Sequence, residues 1–553
     1  MAGAAIAAAA VFADANSSLP QFLDISRDAG LAFQHTNGAS RDKHLVETMG
    51  SGALFFDYDG DGWIDAFLVD GGSIADPALA RRARDRLFHN RGNGTFEDVT
   101  ARAGIEHAGY GMGVCSGDYD GDGRPDLYVT NDGPNVLYRN RGDGTFADVT
   151  AAARVGDPRW SASCAFADLD RDGDLDLWVT NYVNADPKNP PFCGDARAGR
   201  RFYCHPLKYD PLPNTVYRND GRGTFTDVSD ETGVGALRSN GLGVVVADYD
   251  DDGWPDVFVA NDNLPNFLFH NRGMLRFTET GLAAGIAVAA DAKPRAGMGI
   301  DTGDYDGDGR LDLVITNLDF EMHTVHRGLA QGLFADATAE SGIGFSTLPV
   351  VGFGVALLDV DNDAQLDVAI ANGHILDNAP QFRAGSTYMQ RKLLFRNTTG
   401  RRFVESGRQL GPGFKSATVG RALAAGDIDN DGDLDLLVSN NGQAAELLRN
   451  DGGNSGNALL VKLRGSGMNA DAIGARVLVT TGTRTQRRDI KAGSGYLSQH
   501  DLRQHFGLGG ATTAERLEVR WPSGRLETVR GIAANQIVTI EEGNGLVGRE
   551  RLR

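Results

Sequence analysis

No stretch of this 553-residue chain strings together the roughly 18 apolar residues that a membrane helix needs, so no helical span is expected. Nor does it hold a CxxC pair, a dense basic cluster or a Gly-rich loop that opens a helix. Those absences remove dithiol motifs, nucleic-acid binding through a basic face, and phosphate-cradling turns. Prolines number only 18 beside 73 glycines, and no Gly-X-Y period is present. That excludes a collagen-like chain and points to many tight turns between short strands. A hydrophobic content of 41% with 8% aromatics excludes a disordered chain.

What the chain has in excess is acid. The net charge is −20, unevenly spread: residues 453–553 carry 15 Lys+Arg against 9 Asp+Glu, which leaves −26 for residues 1–452. Two domains of opposite sign follow. The acidic domain repels phosphate backbones and suits cations instead.

The acid is organised. A nine-residue motif recurs seven times: DYDGDGWID at 57, DYDGDGRPD at 118, DLDRDGDLD at 168, DYDDDGWPD at 248, DYDGDGRLD at 304, DVDNDAQLD at 359 and DIDNDGDLD at 427. A Gly-rich apolar run precedes it (GMGVCSG, GLGVVVA, GRALAAG). A β-rich run ending in Asn or Asp follows (LYVTND, VFVAND), then a segment such as VLYRN, a turn, and a closing run such as TFADVT. Four strands per unit and seven units predict an all-β fold, a seven-bladed β-propeller over residues 20–452. The closing motif is missing after the seventh unit, whereas FLDIS stands alone at Phe22. The N-terminal strand Phe22–Ser26 is therefore expected to complete the last blade and close the ring.

In DxDxDGxxD, carboxylates at positions 1, 3, 5 and 9 converge on one ion if the chain wraps around it, with the position-7 carbonyl as a further oxygen donor. Hard, flexible oxygens suit Ca²⁺. The expected ligands are Asp57, Asp59, Asp61 and Asp65; Asp118, Asp120, Asp122 and Asp126; Asp168, Asp170, Asp172 and Asp176; Asp248, Asp250, Asp252 and Asp256. They continue with Asp304, Asp306, Asp308 and Asp312; Asp359, Asp361, Asp363 and Asp367; and Asp427, Asp429, Asp431 and Asp435. An EF-hand is excluded by apolar strand residues such as Leu68 and Val129 where it needs Glu. The alternative is a set of metal-free acidic turns. Up to seven Ca²⁺ are expected, the loop Asp359–Asp367 being the weakest because Ala364 stands where glycine is needed.

These residues resemble FG-GAP/VCBS repeat proteins, the group that includes the integrin α-subunit propeller. Near the end, NADAIGARVLVTTGTRTQRRDIKAGSGYLSQHDLRQHFGLGGATTAERLEVRWPSG resembles the ASPIC/UnbV domain. Together the two define the cartilage acidic protein family and its bacterial relatives. The resemblance implies architecture, calcium and secretion. Alternating runs such as GARVLVTT and RLEVRWPSG independently predict a small β-sandwich-like domain over residues 453–545, with 546–553 as a tail.

If the loops lie on one face of the propeller, second-strand ends line the opposite one: Asn131, Asp132, Asn181, Asn261, Asp262, Asn317, Asp319, Asn372, His374 and Asn440. Around an open central funnel they would suit a carbohydrate or a surface protein; otherwise they cap strand ends. His35, Glu47, His323 and His374 are the weak candidates for acid–base chemistry, which would make the protein a lyase, cyclase or hydrolase. A disulfide between Cys193 and Cys204 is expected in a blade-3 insertion at 182–213. Cys115 and Cys164, three and four residues before their aspartates, are expected as free buried thiols facing opposite ways. RGD at 141–143 reads as hairpin turn chemistry, since blade 1 has RGN there. The opening MAGAAIAAAAVFADA reads as a partial secretion signal over residues 1–15, or else an Ala-rich tail, giving a secreted, periplasmic or cell-surface protein.

Overall fold

The computed structural model describes residues 19–106, 109–381 and 384–553; the leader at 1–15 lies outside the described residues. Apolar runs bounded by turn residues form seven blade sheets, six of four antiparallel strands and one, in blade 1, whose four antiparallel strands gain a fifth, Ser498–Gln499, in parallel. Blade 2 is typical, with strands Gly111–Gly117, Asp126–Asn131, Val136–Asn140 and Phe146–Asp148. First strands neighbour one another in sequence, and the seventh returns to the first, so the sheets form a closed ring. Closure is by the N-terminal strand Gln21–Asp24, antiparallel to Glu446–Asp451, with Phe22 paired to Asn450. That strand supplies the fourth strand of the seventh blade and so holds both ends of the ring in one sheet.

The C-terminal domain is two four-stranded sheets, one holding Asn457–Arg464 and Gln536–Glu541, the other Arg476–Thr481 and Thr513–Arg520. Residues 546–553 are not a tail: Gly545–Arg551 is a strand paired to Gln536–Glu541. The sandwich core, with Leu459, Val477 and Trp521, runs on into that of blades 2 and 3 through Cys115, Cys164 and Leu177. The basic domain thus docks on the acidic one.

Cys193 and Cys204 form the expected disulfide. Cys115 and Cys164 are also bonded, contrary to expectation. They occupy first strands of adjacent blades. Neighbouring blades present opposite faces to each other, so residues of opposite parity are the ones that meet across the gap.

Candidate metal centres and a filled axis

The nine-residue loop is built by its own backbone. Asp118 Oδ1 and Oδ2 accept from Asp122 N and Gly123 N at 3.0 and 2.8 Å, pulling position 1 over positions 5 and 6. Position 9 braces the hairpin: Asp126 accepts from Tyr119 N at 3.3 Å and from Asn140 N at 2.7 Å. Two positions in each loop require left-handed backbone. Position 6 has φ +83° at Gly123 and +71° at Ala364; position 4 has +70° at Gly121, +60° at Arg171 and +63° at Asp251. The sequence reading found the first requirement and missed the second.

Six loops enclose a carboxylate oxygen that is closed to solvent and has no partner, on Asp57, Asp120, Asp168, Asp248, Asp361 and Asp429, and additionally on Asp174 and Asp433; in blade 5 the equivalent oxygen, Asp306 Oδ2, makes no hydrogen bond but lies 3.2 Å from Arg401 Nε. Oxygens of Asp57, Asp59 and Asp61 lie within 4.8 Å of one another, as do those of Asp118, Asp120 and Asp122. Burial, reinforced by neighbouring carboxylates, pushes Asp118 and Asp168 up to about 7, Asp359 to about 8 and Asp126 to about 9. Bare loops are therefore electrostatically unfavourable, and the donor set fits a hard divalent cation.

A second repeated residue escaped the sequence reading. Asn140, ending its third strand, donates from Nδ2 to Tyr58 O of the preceding blade's loop at 2.8 Å. Asn90, Asn219, Asn271, Asn397 and Asn450 do the same, Asn90 reaching Ile428 O of blade 7. These bonds tie each aspartate loop to its neighbour, except where blade 5 carries Gly328. The recurring RN or HN after each third strand was the available signal.

The expected open funnel is filled. From the aspartate-loop side, the C-terminal segment 491–501 enters the ring. Gly495 exchanges backbone bonds with Ile300 at 3.0 and 2.8 Å, Ser498–Gln499 pairs with Ala53–Leu54, and Leu497 N donates to Ser163 Oγ. Tyr496 is fully buried, 4.9 Å from the Phe353 ring, and donates to Met49 O at 2.8 Å. From the other side, the turn Leu45–Thr48 brings Leu45, Val46 and Met49 into the same apolar cluster. Arg421, also fully buried, stacks on Phe353 at 3.9 Å and donates to Thr48 O. First-strand glycines make room: a Cβ on Gly52 would lie 2.9 Å from Leu497 O, and one on Gly243 2.8 Å from Gly495 O.

The catalytic candidates are consequently sealed: His35 is 2% exposed, Glu47 1%, His323 0% and His374 1%. Glu47 accepts from Ser40 N and from Tyr203 OH of the blade-3 insertion, both at 3.0 Å. His35 Nδ1 accepts from Gly442 N and His323 Nδ1 from Asn317 N. His374 and Asp319 meet at 3.3 Å, but both are buried. The second-strand asparagines donate to their own strand-to-strand loops, Asn131 to Pro134 O, Asn181 to Pro213 O, Asn261 to Pro265 O, Asn317 to Met322 O, Asn372 to Arg391 O and Asn440 to Ala444 O. Asp262 accepts from Tyr182 OH, and Asp132 is held through its backbone by Tyr110 O. This set caps strand ends and presents no open ligand ring.

The C-terminal domain grips the aspartate-loop face instead. Lys462 Nζ lies 3.3 Å from Asp57, Arg476 Nη2 2.5 Å from Asp251, and Arg487 and Arg503 donate to Gly309 O and Asp427 O. A cleft of about 670 Å³ remains between this domain and blades 1 and 2, lined by Asp59, Arg124, Lys462, Arg464 and Glu542.

A ring of repeated blades, each with an aspartate hairpin, defines a repeat propeller carrying a docked C-terminal sandwich. The FG-GAP-like repeat matches residues 57–129, 118–179, 207–259, 248–315 and 304–370, the FG-GAP repeat 419–460, and the ASPIC and UnbV domain 465–547. The chain belongs to the FG-GAP repeat family, with a C-terminal ASPIC/UnbV domain. It is 32% identical over 344 residues to cartilage acidic protein 1 of Mus musculus, covering 61% of this chain and 49% of the relative. To that of Homo sapiens it is 30% identical over 348 residues, covering 61% and 48%. The chain thus spans about half the length of these curated relatives. Among solved structures it is similar to an Agrocybe aegerita lectin described as recognising non-reducing terminal N-acetylglucosamine, at 16% identity and TM-score 0.39, covering 65% of this chain and 79% of that one. It is also similar to rhamnogalacturonan lyase YesW, at 13% identity and TM-score 0.29, covering 74% and 90%. Likenesses this distant do not choose between binding and catalysis.

Proposed function

We propose that the protein is a secreted, periplasmic or cell-surface binding module: a propeller locked by calcium at its seven aspartate loops, presenting a surface to a carbohydrate or an extracellular protein. The observation that carries calcium is the unpartnered, solvent-closed carboxylate oxygen repeated in six of the seven loops. Asp57 to Asp65 and their six counterparts would hold the ions, each of which would offset two of the four aspartate charges in its cage. Two disulfides fit an oxidising compartment. With the axis filled, an enzyme working in the funnel has no observation in its favour, and the cleft beside blades 1 and 2 is the more suitable place for a ligand. Glycan and extracellular-protein arrays probed with the calcium-loaded protein test the binding role. Binding that is lost on Lys462→Glu or Arg464→Glu supports the cleft. No ligand on either array, together with turnover of any polysaccharide, would overturn it.

A further inference from the structure

The seven loops provide an internal comparison. The residue before the third-strand asparagine, or before Gly328 in blade 5, is arginine in five blades, at Arg139, Arg218, Arg327, Arg396 and Arg449, and histidine in two, at His89 and His270. Arginine supplies a permanent cation to position 3, as in Arg139 Nε to Asp120 at 2.6 Å and Arg396 to Asp361. Imidazole is different, because its nitrogen can also ligate a metal.

His89 Nδ1 lies 3.3 Å from Asp59 Oδ2 and 3.2 Å from Asp65 Oδ1. It is closed to solvent, yet hydrogen-bonds to neither oxygen. His270, its side chain nine-tenths buried, holds a similar position in blade 4, where Nδ1 is 3.6 Å from Asp250 Oδ2 and, unlike that of His89, hydrogen-bonds to Asp256 Oδ1 at 3.1 Å. Metal bonds of about 2.1 Å set adjacent ligand atoms about 3.0 Å apart on an octahedral edge and about 3.4 Å on a tetrahedral one. The observed spacings fall around that range. The same two loops differ at position 7 as well. Trp63 and Trp254 stand where blades 2 and 5 place Arg124 and Arg310 on their position-5 aspartates. Among the described residues, no arginine of blade 1 or blade 4 pairs with its own loop's aspartates.

We propose that blades 1 and 4 each hold a first-row d-block divalent cation of the zinc class, ligated by His89 Nδ1 with Asp59 and Asp65, and by His270 Nδ1 with Asp250 and Asp256. The other five loops keep calcium, and in blades 1 and 4 the d-block cation displaces it. Calcium prefers oxygen throughout, whereas imidazole with carboxylates suits zinc. This rests on the reading that the aspartate loops bind cations.

The test strips the full chain with chelator, refills it with excess Ca²⁺ and titrates Zn²⁺, counting metals per chain and recording zinc-edge X-ray absorption. Two zinc ions with nitrogen among their ligands are expected, each displacing one calcium. His89→Arg and His270→Arg, which install the residue of the other blades, should each remove one zinc while the calcium-loaded protein still melts cooperatively. Two zinc ions retained by the double variant, or none bound by the wild type at micromolar zinc while calcium fills the loops, overturns the proposal and leaves the calcium reading standing. Loops that take neither metal overturn both.

Discussion

The rim of the propeller and its axis solve opposite problems. The rim is written seven times and in six copies ends in a buried carboxylate oxygen that no protein group satisfies. The axis is written once, by segments 36–50 and 491–501, and is filled with apolar and aromatic side chains whose backbone is tied to several blades. On the proposed reading one region is completed by a cation from outside the chain, and the other by the chain itself. The contrast teaches that, with cations in the loops as proposed, ring stability would draw on two sources that can be removed separately.

Removing the external one should have the largest effect. A cation binding only the folded state adds about 2.7 kcal/mol per site at 100 times its Kd. Seven sites therefore outweigh any single side chain, and chelation should lower Tm by tens of degrees, with recovery in Ca²⁺ greater than in Mg²⁺. An unchanged Tm in chelator, measured calorimetrically, would show that the rim carries no such dependence. The internal source is tested by Tyr496→Ala. Losing a fully buried aromatic should cost about 3–5 kcal/mol, whereas Tyr496→Phe should cost about 1 kcal/mol for the bond to Met49 O. An alanine variant melting like wild type in saturating calcium would mean that the axis contributes nothing.

The same contrast explains what the sequence disclosed. Repetition makes the rim legible: the aspartate spacing, four strands per unit and closure by Phe22 all follow from comparing copies. Position 4 could have been read in the same way, since Gly60, Gly121 and Gly307 recur there, but Arg171 and Asp251 mask the pattern. The axis offers no copies. AGSGYLSQ between two strands reads as an ordinary loop, and only the first-strand glycines at Gly52, Gly113 and Gly243 hinted that something passes close by. The Cys115–Cys164 bond was hidden for another reason, because strand parity describes one sheet whereas the bond joins two. The asparagines that end the second strands are buried, since a closed channel leaves those amides facing their own loops.

A pH measurement separates the two regions at smaller amplitude. Burial lowers His323 from the usual value near 6.5 to about 3, so it stays neutral in the folded protein. Its contribution is fully present above the unfolded value and is lost as pH falls toward the folded one. From pH 6.5 to 5 that loss is about 2 kcal/mol. His323→Asn keeps the acceptor for Asn317 N, as Asn135 does for Asn131 N in blade 2, and removes the titration. In saturating calcium, urea unfolding should show wild type losing more stability than the variant on acidification. Parallel pH profiles would refute a buried neutral imidazole there.

The smallest effect concerns one loop of the rim. Ala364 holds φ +71° where six loops have glycine, and its N–H donates to Asp359 Oδ2 at 2.8 Å as the glycines do in theirs. The loop has therefore accepted the strain and kept the wrapping. A left-handed alanine costs about 1 kcal/mol relative to glycine, partly offset by the greater freedom of unfolded glycine. Ala364→Gly should raise stability by at most about 1 kcal/mol and tighten calcium at this loop severalfold, measured by titration of the stripped protein. Arg171 and Asp251 carry similar strain at position 4, so loops 3 and 4 are the fair comparison. If Ala364→Gly leaves the weakest calcium step unchanged, strain at position 6 does not rank the sites, and the count of charges around each cage must do so instead.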